Sequence, residues 1–311
     1  MRAFIFPGQG SQAVGMGKAL AEASAVAREV FQEVDDALGQ HLFRLMTEGP
    51  AEELMLTENS QAAIMANAIA TLRVLEKEGG IRLADKADYV AGHSLGEYTA
   101  LCAAGALDLP TTALLLKHRG LAMQAAVPVG EGAMAALLGA DLEKARIIAN
   151  AASEGEVCTV ANDNDPSQVV LSGAKGAIDR VIAIAKEFGA KKAVLLPVSA
   201  PFHCALMQPA ADAMEKALAE ARIDAPLVPV FANVTASPVG DPDTIRRLLV
   251  EQVTGMVRWR ESVLAMADTG VERFVEFGAK VLTAMVKRTA ADVETVSVMT
   301  MDDIEALAKS L

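Results

Sequence analysis

The sequence predicts an α/β protein in which a small β-α-β-β-α-β domain interrupts a larger one. Two observations carry that prediction. Short apolar runs ending at glycine or proline alternate with longer stretches of helical periodicity, and between residues 132 and 198 the order of these segments changes. Residues 2–6 read as a buried strand stopped by Pro7-Gly8. Helical spacing follows over roughly 17–38, over "TENSQAAIMANAIATLRVLEKEG" and over "PTTALLLKHRGLAMQAA", with "ADYVAGHS" as a strand and turn between the last two. The inner unit begins with the strand "GAMAALLGA" and the Asp-capped helix "DLEKARIIANAAS". The strands "EVCTVANDND" and "SQVVLSGA", the helix "KGAIDRVIAIAKEFG" and the strand "AKKAVLLPVS" complete it. That order is ferredoxin-like. With hinges at "VPVG" and Pro197, the expected division is 1–127 plus 198–311 for the large domain and 128–197 for the insert.

Composition narrows the function classes. A chain of 311 residues buries about three-quarters of its unfolded surface and can hold a sizeable core. Its net charge of −12 argues against a nucleic-acid partner, which would call for a basic face. No apolar run reaches the ~18 residues of a membrane span, and "AFIF" is too short for a signal-peptide core. Three widely spaced cysteines, without a C-x-x-C pair, fit a reduced cytoplasmic protein with no structural metal.

The chemistry concentrates in "AGHSLGEY". Gly92-His93-Ser94-Leu95-Gly96 is a G-x-S-x-G turn between a strand and a helix, the arrangement of a nucleophile elbow. The tight turn exposes the Ser94 hydroxyl and requires glycine on either side of it. A serine nucleophile needs a base, and the chain has four histidines. His93 adjoins Ser94 and should point away from it. His41 reads as a half-buried residue at a helix end, and His118 as the outer face of its helix. His203 follows a strand end, where α/β proteins place catalytic groups, and is the base by elimination. A third, acidic member is hard to find. Asp212 sits in a helix pattern, and Asp163 and Asp165 fall in the insert. A backbone or amide carbonyl could orient the ring instead.

Leu115, Arg119, Met123 and Ala126 share one helical face. An arginine on an apolar stripe either snorkels or meets an anion, and this helix can reach the elbow's cleft. Beside a serine nucleophile, Arg119 suits a substrate carboxylate held by two parallel hydrogen bonds. The opening "FPGQGSQA" matches G-x-G-x-x-[G/A], but the second strand and acidic residue of a dinucleotide site are replaced by the helical "AREVFQEVDDALGQ". The loop better supplies the Gln9 amide as one half of an oxyanion hole, with Leu95 as the other half.

"FPGQGSQ", "GHSLGEY", "RGLAM", "VANDNDPSQVVLSG", "PVSAPFH" and "EFGAKVLTAMVKR" occur in that order, and through them the chain resembles the malonyl-CoA:acyl carrier protein transacylases over about residues 3–298. The resemblance implies an α/β-hydrolase-like core with a mainly parallel sheet and a ferredoxin-like insert. It implies that Ser94 carries the malonyl group and that His203 is the base, held by the main-chain carbonyl of Gln252. Gln9 and Leu95 would form the oxyanion hole, and Arg119 would bind the malonyl carboxylate. Asn162 and Gln61 match polar positions of the cleft, Met123 belongs to the "RGLAM" segment, and Phe202 matches the form associated with malonyl units. Malonyl-CoA and the phosphopantetheine thiol of acyl carrier protein are the implied substrates. No metal or redox cofactor is required, and a monomer is expected. A polyketide-synthase carrier, or a serine thioesterase with the same dyad, is the alternative. Cys204, Ala62 and the Gly255-Met256 pair depart from the family pattern, the last of them in the segment expected to present Gln252. An unperturbed histidine implies loss of acylation below about pH 6. Lys280, Lys287 and Arg288, with Lys191-Lys192, are the candidate basic patches for an acidic carrier.

Overall fold

In the computed structural model, which describes residues 1–311, the apolar run Arg2–Phe6 forms β1 at the centre of a six-stranded sheet. The others are β2 (Tyr89–Gly92), β7 (Val230–Ala232), β8 (Ser237–Val239), β9 (Arg273–Phe277) and β10 (Glu294–Val298), in the order β10-β9-β1-β2-β7-β8. All pairs are parallel except β7 with β8. The inner strands β1, β2 and β7 are covered on both faces, which is why they read as short apolar runs rather than alternating ones. Phe6 pairs with Gly92 at the carboxyl ends of β1 and β2. The opening loop and the elbow therefore leave the sheet side by side.

The helix Thr57–Lys77 is buried along almost its whole length, its Ala-rich middle packed in the core and its Asn59, Gln61 and Asn67 engaged in internal hydrogen bonds. The helix Leu109–Ala126 crosses it closely at Gly120, where a Cβ would lie 2.6 Å from Glu58 Cα. That contact brings the neighbouring Arg119 against Gln61. The single helix expected over 17–38 is two, Lys18–Ala23 and Ala25–Leu38. Ser24 adopts an extended conformation between them and accepts from Ala27 N at 3.2 Å, so a serine cap outcompetes helix continuation.

The remaining strands, β3 (Gly132–Leu138), β4 (Cys158–Asp165), β5 (Gln168–Ala174) and β6 (Lys192–Leu195), form a separate antiparallel sheet in the order β4-β5-β3-β6. The helices Leu142–Ser153 and Lys175–Ile184 pack on it around Leu137, Ile148, Leu171, Ile178 and Val181. The end of β4 is tied to the larger body. Val257 N donates to Ala161 O at 2.8 Å and Asp163 N to Val257 O at 3.0 Å. The buried carboxylates of Asp163 and Asp165 pair with Arg260 and Arg288 at 2.9 and 2.8 Å. No helix is long and apolar enough to cross a membrane.

Candidate active site

The elbow's glycines are sterically required. A Cβ on Gly92 would lie 1.8 Å from Gly96 O, and one on Gly96 would lie 2.3 Å from Phe6 O. Ser94 itself adopts a left-handed φ of 54°, strain that its surroundings hold in place. Asn233 does much of the holding, accepting from Ser94 N through Oδ1 at 2.8 Å and donating through Nδ2 to Gly92 O at 2.7 Å.

His203, also left-handed with φ 56°, places Nε2 2.7 Å from Ser94 Oγ. Its Nδ1 lies 2.8 Å from the main-chain oxygen of Gln252. A carbonyl only accepts, so Nδ1 carries the proton and Nε2 is free to take one from the serine. Gln252 lies in the last turn of the helix Pro242–Thr254, where carbonyls lack an intrahelical partner, and Gly255 closes that helix. Burial and the neighbouring Arg119 charge push the His203 pKa down to about 3. The shift keeps His203 neutral to lower pH than the unperturbed histidine assumed from the sequence. Asp163 and Asp165 do not serve the histidine, being engaged by Arg260 and Arg288. His93 borders the cleft, and its ring turns to Asn164, with Nε2 2.7 Å from Oδ1, and to the Trp259 ring 5.9 Å away. His41 is exposed and precedes the helix Leu42–Glu48, while His118 is exposed on its helix.

Arg119 is 1% exposed. Nη1 donates to Gln61 Oε1 at 2.7 Å, and Nη2 donates to Gln252 Oε1 at 2.9 Å and Ser94 Oγ at 3.2 Å. All three partners are neutral, and the Tyr98 ring lies 5.6 Å from the guanidinium carbon. Gln61 is braced in turn by Thr57 Oγ1 at 3.0 Å and Met123 Sδ at 3.7 Å.

These groups border a cleft of about 360 Å³ lined also by Gln9, Met134, Asn162, Phe202 and Leu196–Val198. Asn162 lies at a register shift in the β4–β5 pairing, a bulge that re-aims side chains beside the cleft. The Leu95 amide opens the helix Gly96–Ala103, and neither it nor the Gln9 amide is engaged by another main-chain acceptor. The cleft therefore unites Ser94, His203, Arg119, Gln61, Met123, Asn162, Phe202 and Gln9, with Leu95 and Gln252 directly behind. Asn233 and Glu97 were not singled out in the sequence. Glu97 is buried, and that burial pushes its carboxyl pKa up to about 7 despite the hydrogen bond from Gln252. A glutamate inside "GHSLGEY", flanked by residues destined for the core, was the available signal.

Residues 3–302 match the acyl transferase domain family. The chain is 44% identical over 310 residues to the malonyl CoA-acyl carrier protein transacylase of Escherichia coli (strain K12), covering 99% of this chain and 98% of that one. It is 42% identical over 311 residues to the protein of the same name from Bacillus subtilis (strain 168), covering 99% and 96%. Among solved structures, an acyl-carrier-protein-S-malonyltransferase from Bartonella henselae superimposes with a TM-score of 0.97 at 51% identity, over 99% and 98% of the two chains. A malonyl-transacylase in complex with a type II PKS acyl-carrier protein gives 0.96 at 38% identity, over 100% and 99%. With its mainly parallel sheet, its separate antiparallel sheet and this full-length similarity, the chain belongs to the malonyl CoA-acyl carrier protein transacylase family of acyl transferases.

Proposed function

We propose that the chain moves a malonyl group from malonyl-CoA to the phosphopantetheine thiol of an acyl carrier protein through an ester on Ser94. His203 Nε2 takes the Ser94 proton as Oγ attacks the thioester carbonyl, and the Gln9 and Leu95 amides receive the oxyanion. Collapse breaks the C–S bond, and His203 returns the proton to the departing CoA sulfur. The carrier thiol then gives its proton to His203 and attacks the malonyl ester, and the released Ser94 oxygen recovers that proton. The acyl carbon of malonyl is one methylene from its free carboxylate, which sets that carboxylate against Arg119.

The observation that carries this reading is a buried guanidinium 3.2 Å from the nucleophile with only neutral partners. A general esterase gains nothing from such a charge, whereas an acyl group that ends in a carboxylate is selected by it. The proposed unit of action is a monomer, since the reaction needs no group beyond those named. No step calls for a metal or redox cofactor. Incubation with labelled malonyl-CoA tests the proposal. The native enzyme should carry one malonyl group on Ser94 and pass it to added carrier, while Ser94→Ala should carry none and lose transfer by about 10³-fold or more. Release of free malonate in place of transfer would identify a thioesterase. The same assay with fatty-acid and polyketide carriers side by side assigns the pathway, the fatty-acid carrier being expected to react faster.

A further inference from the structure

Gln252 lies between the buried guanidinium of Arg119 and the buried carboxyl of Glu97. Its side-chain Oε1 accepts from Arg119 Nη2 at 2.9 Å, and its Nε2 donates to Glu97 Oε2 at 2.7 Å. A guanidinium has no acceptor and a carboxylate no donor, so only one orientation of the Gln252 amide satisfies both neighbours. Nε2 also meets Asn233 Oδ1 at 3.1 Å and Ser94 O at 3.0 Å, but the Glu97 contact is the shortest of the three. Glu97 Oε2 is held in turn by Asn233 N at 3.3 Å. Glu97 thus makes no hydrogen bond to Arg119 itself and is joined to it through the Gln252 amide, both being buried in one network.

We infer that Glu97 is a positioning residue for acyl selection: its carboxyl oxygen holds the Gln252 amide with Oε1 toward Arg119, so that Gln252 and Gln61 fix the guanidinium beside Ser94 with neutral partners. A carboxylate touching Arg119 directly would occupy the face that the malonyl carboxylate needs. Interposing an amide orients the cation and leaves that face to the substrate. The role requires an acceptor oxygen at this position, which a protonated carboxyl supplies as well as an ionised one. The inference rests on the reading of Arg119 as the carboxylate-binding group.

The test compares kcat/KM for malonyl and acetyl transfer to the carrier in Glu97→Met, Glu97→Gln and Arg119→Ala. Glu97→Met keeps the bulk and removes the acceptor, and should lower the malonyl-to-acetyl ratio by about tenfold or more, the scale of an outer-shell partner. Glu97→Gln restores an oxygen at the same reach and should return the ratio to within about threefold of the native value. Damage to the elbow would slow both acyl groups alike, so equal losses in Glu97→Met overturn the inference. Equal ratios in the Met and Gln variants overturn it too. Should Glu97→Met not fold, Gln252→Met severs the same link while keeping the main-chain carbonyl for His203; it must lower the ratio, and an unchanged ratio overturns the inference. If Arg119→Ala leaves the ratio unchanged, the Arg119 reading falls and the Glu97 role with it. If Arg119→Ala lowers the ratio and Glu97→Met does not, only the Glu97 role falls.

Discussion

The two walls of the cleft are built on different terms. On the elbow side Ser94, His203, Arg119, Gln252 and Asn233 hydrogen-bond to one another, with two residues held in left-handed backbone. On the other side the small sheet and the segment that leaves it offer mainly apolar surface, Met134 and Leu196–Val198, with Asn162 as the polar contribution. That wall is attached to the larger body by the β4 tail and two ion pairs. The contrast separates two physical tasks. In the proposed reaction proton transfer and charge recognition need fixed distances, and each polar group on the first wall is restrained from several directions. The second wall closes off the cleft and shapes it, and packing with a few anchors is enough for that.

On that division, substitutions on the first wall should act on rate and those on the second on stability. His203→Ala should lower acylation by about 10²–10⁴-fold, the range for losing a positioned general base. In the native enzyme, acylation by malonyl-CoA should stay level from pH 7 to pH 5, because the His203 pKa is pushed down to about 3. A loss of rate centred near pH 6 would show that the ring is hydrated. The sign for stability follows from the same shift. The unfolded chain binds a proton on this histidine below about pH 6.5 and the folded one does not, so its contribution is present above pH 6.5 and is lost as pH falls toward 3. His203→Ala should flatten that part of a pH–stability curve measured by denaturant unfolding.

Arg260→Met probes the second wall. It leaves Asp163, whose side chain is 0% exposed, without its cation, while Arg260 itself is 23% exposed. Breaking a fully buried pair costs about 3–5 kcal/mol, and partial exposure of this one lowers the expectation to about 2–3 kcal/mol. Thermal unfolding should register that loss, with malonyl-serine formation by the folded protein changed by less than about threefold. A collapse of acylation without a lower Tm would erase the distinction between the walls.

The smallest effect belongs to the surface. Lys287 Nζ donates to Val293 O and Ala291 O, and Arg288 is paired with Asp165, while both side chains stay exposed. Lys280 is exposed as well, and Lys191 and Lys192 are exposed together at the edge of the small sheet. Reversing both to Glu should raise KM for the carrier by about two- to fivefold and leave KM for malonyl-CoA unchanged. Equal changes in both would remove the patch from the docking surface.

What could be read along the chain was local. Gly92 and Gly96 flank Ser94 at the only spacing the turn tolerates, and Arg119 stands out because helical periodicity puts it on an apolar face. His203 followed from scarcity, with four histidines to choose among. The orientation of that histidine was not legible, since it depends on a carbonyl 49 positions away that is free because a helix ends two residues later. Glu97 and Asn233 looked like ordinary polar residues, because their partners lie 155 and 139 positions away. The depressed basicity of His203 arises from burial and from the Arg119 charge, neither of which exists until the chain is packed. Steric rules and periodicity act between near neighbours and are written in order along the chain. Hydrogen-bond partners, burial and the electrostatics they create belong to residues that meet only when the chain has folded.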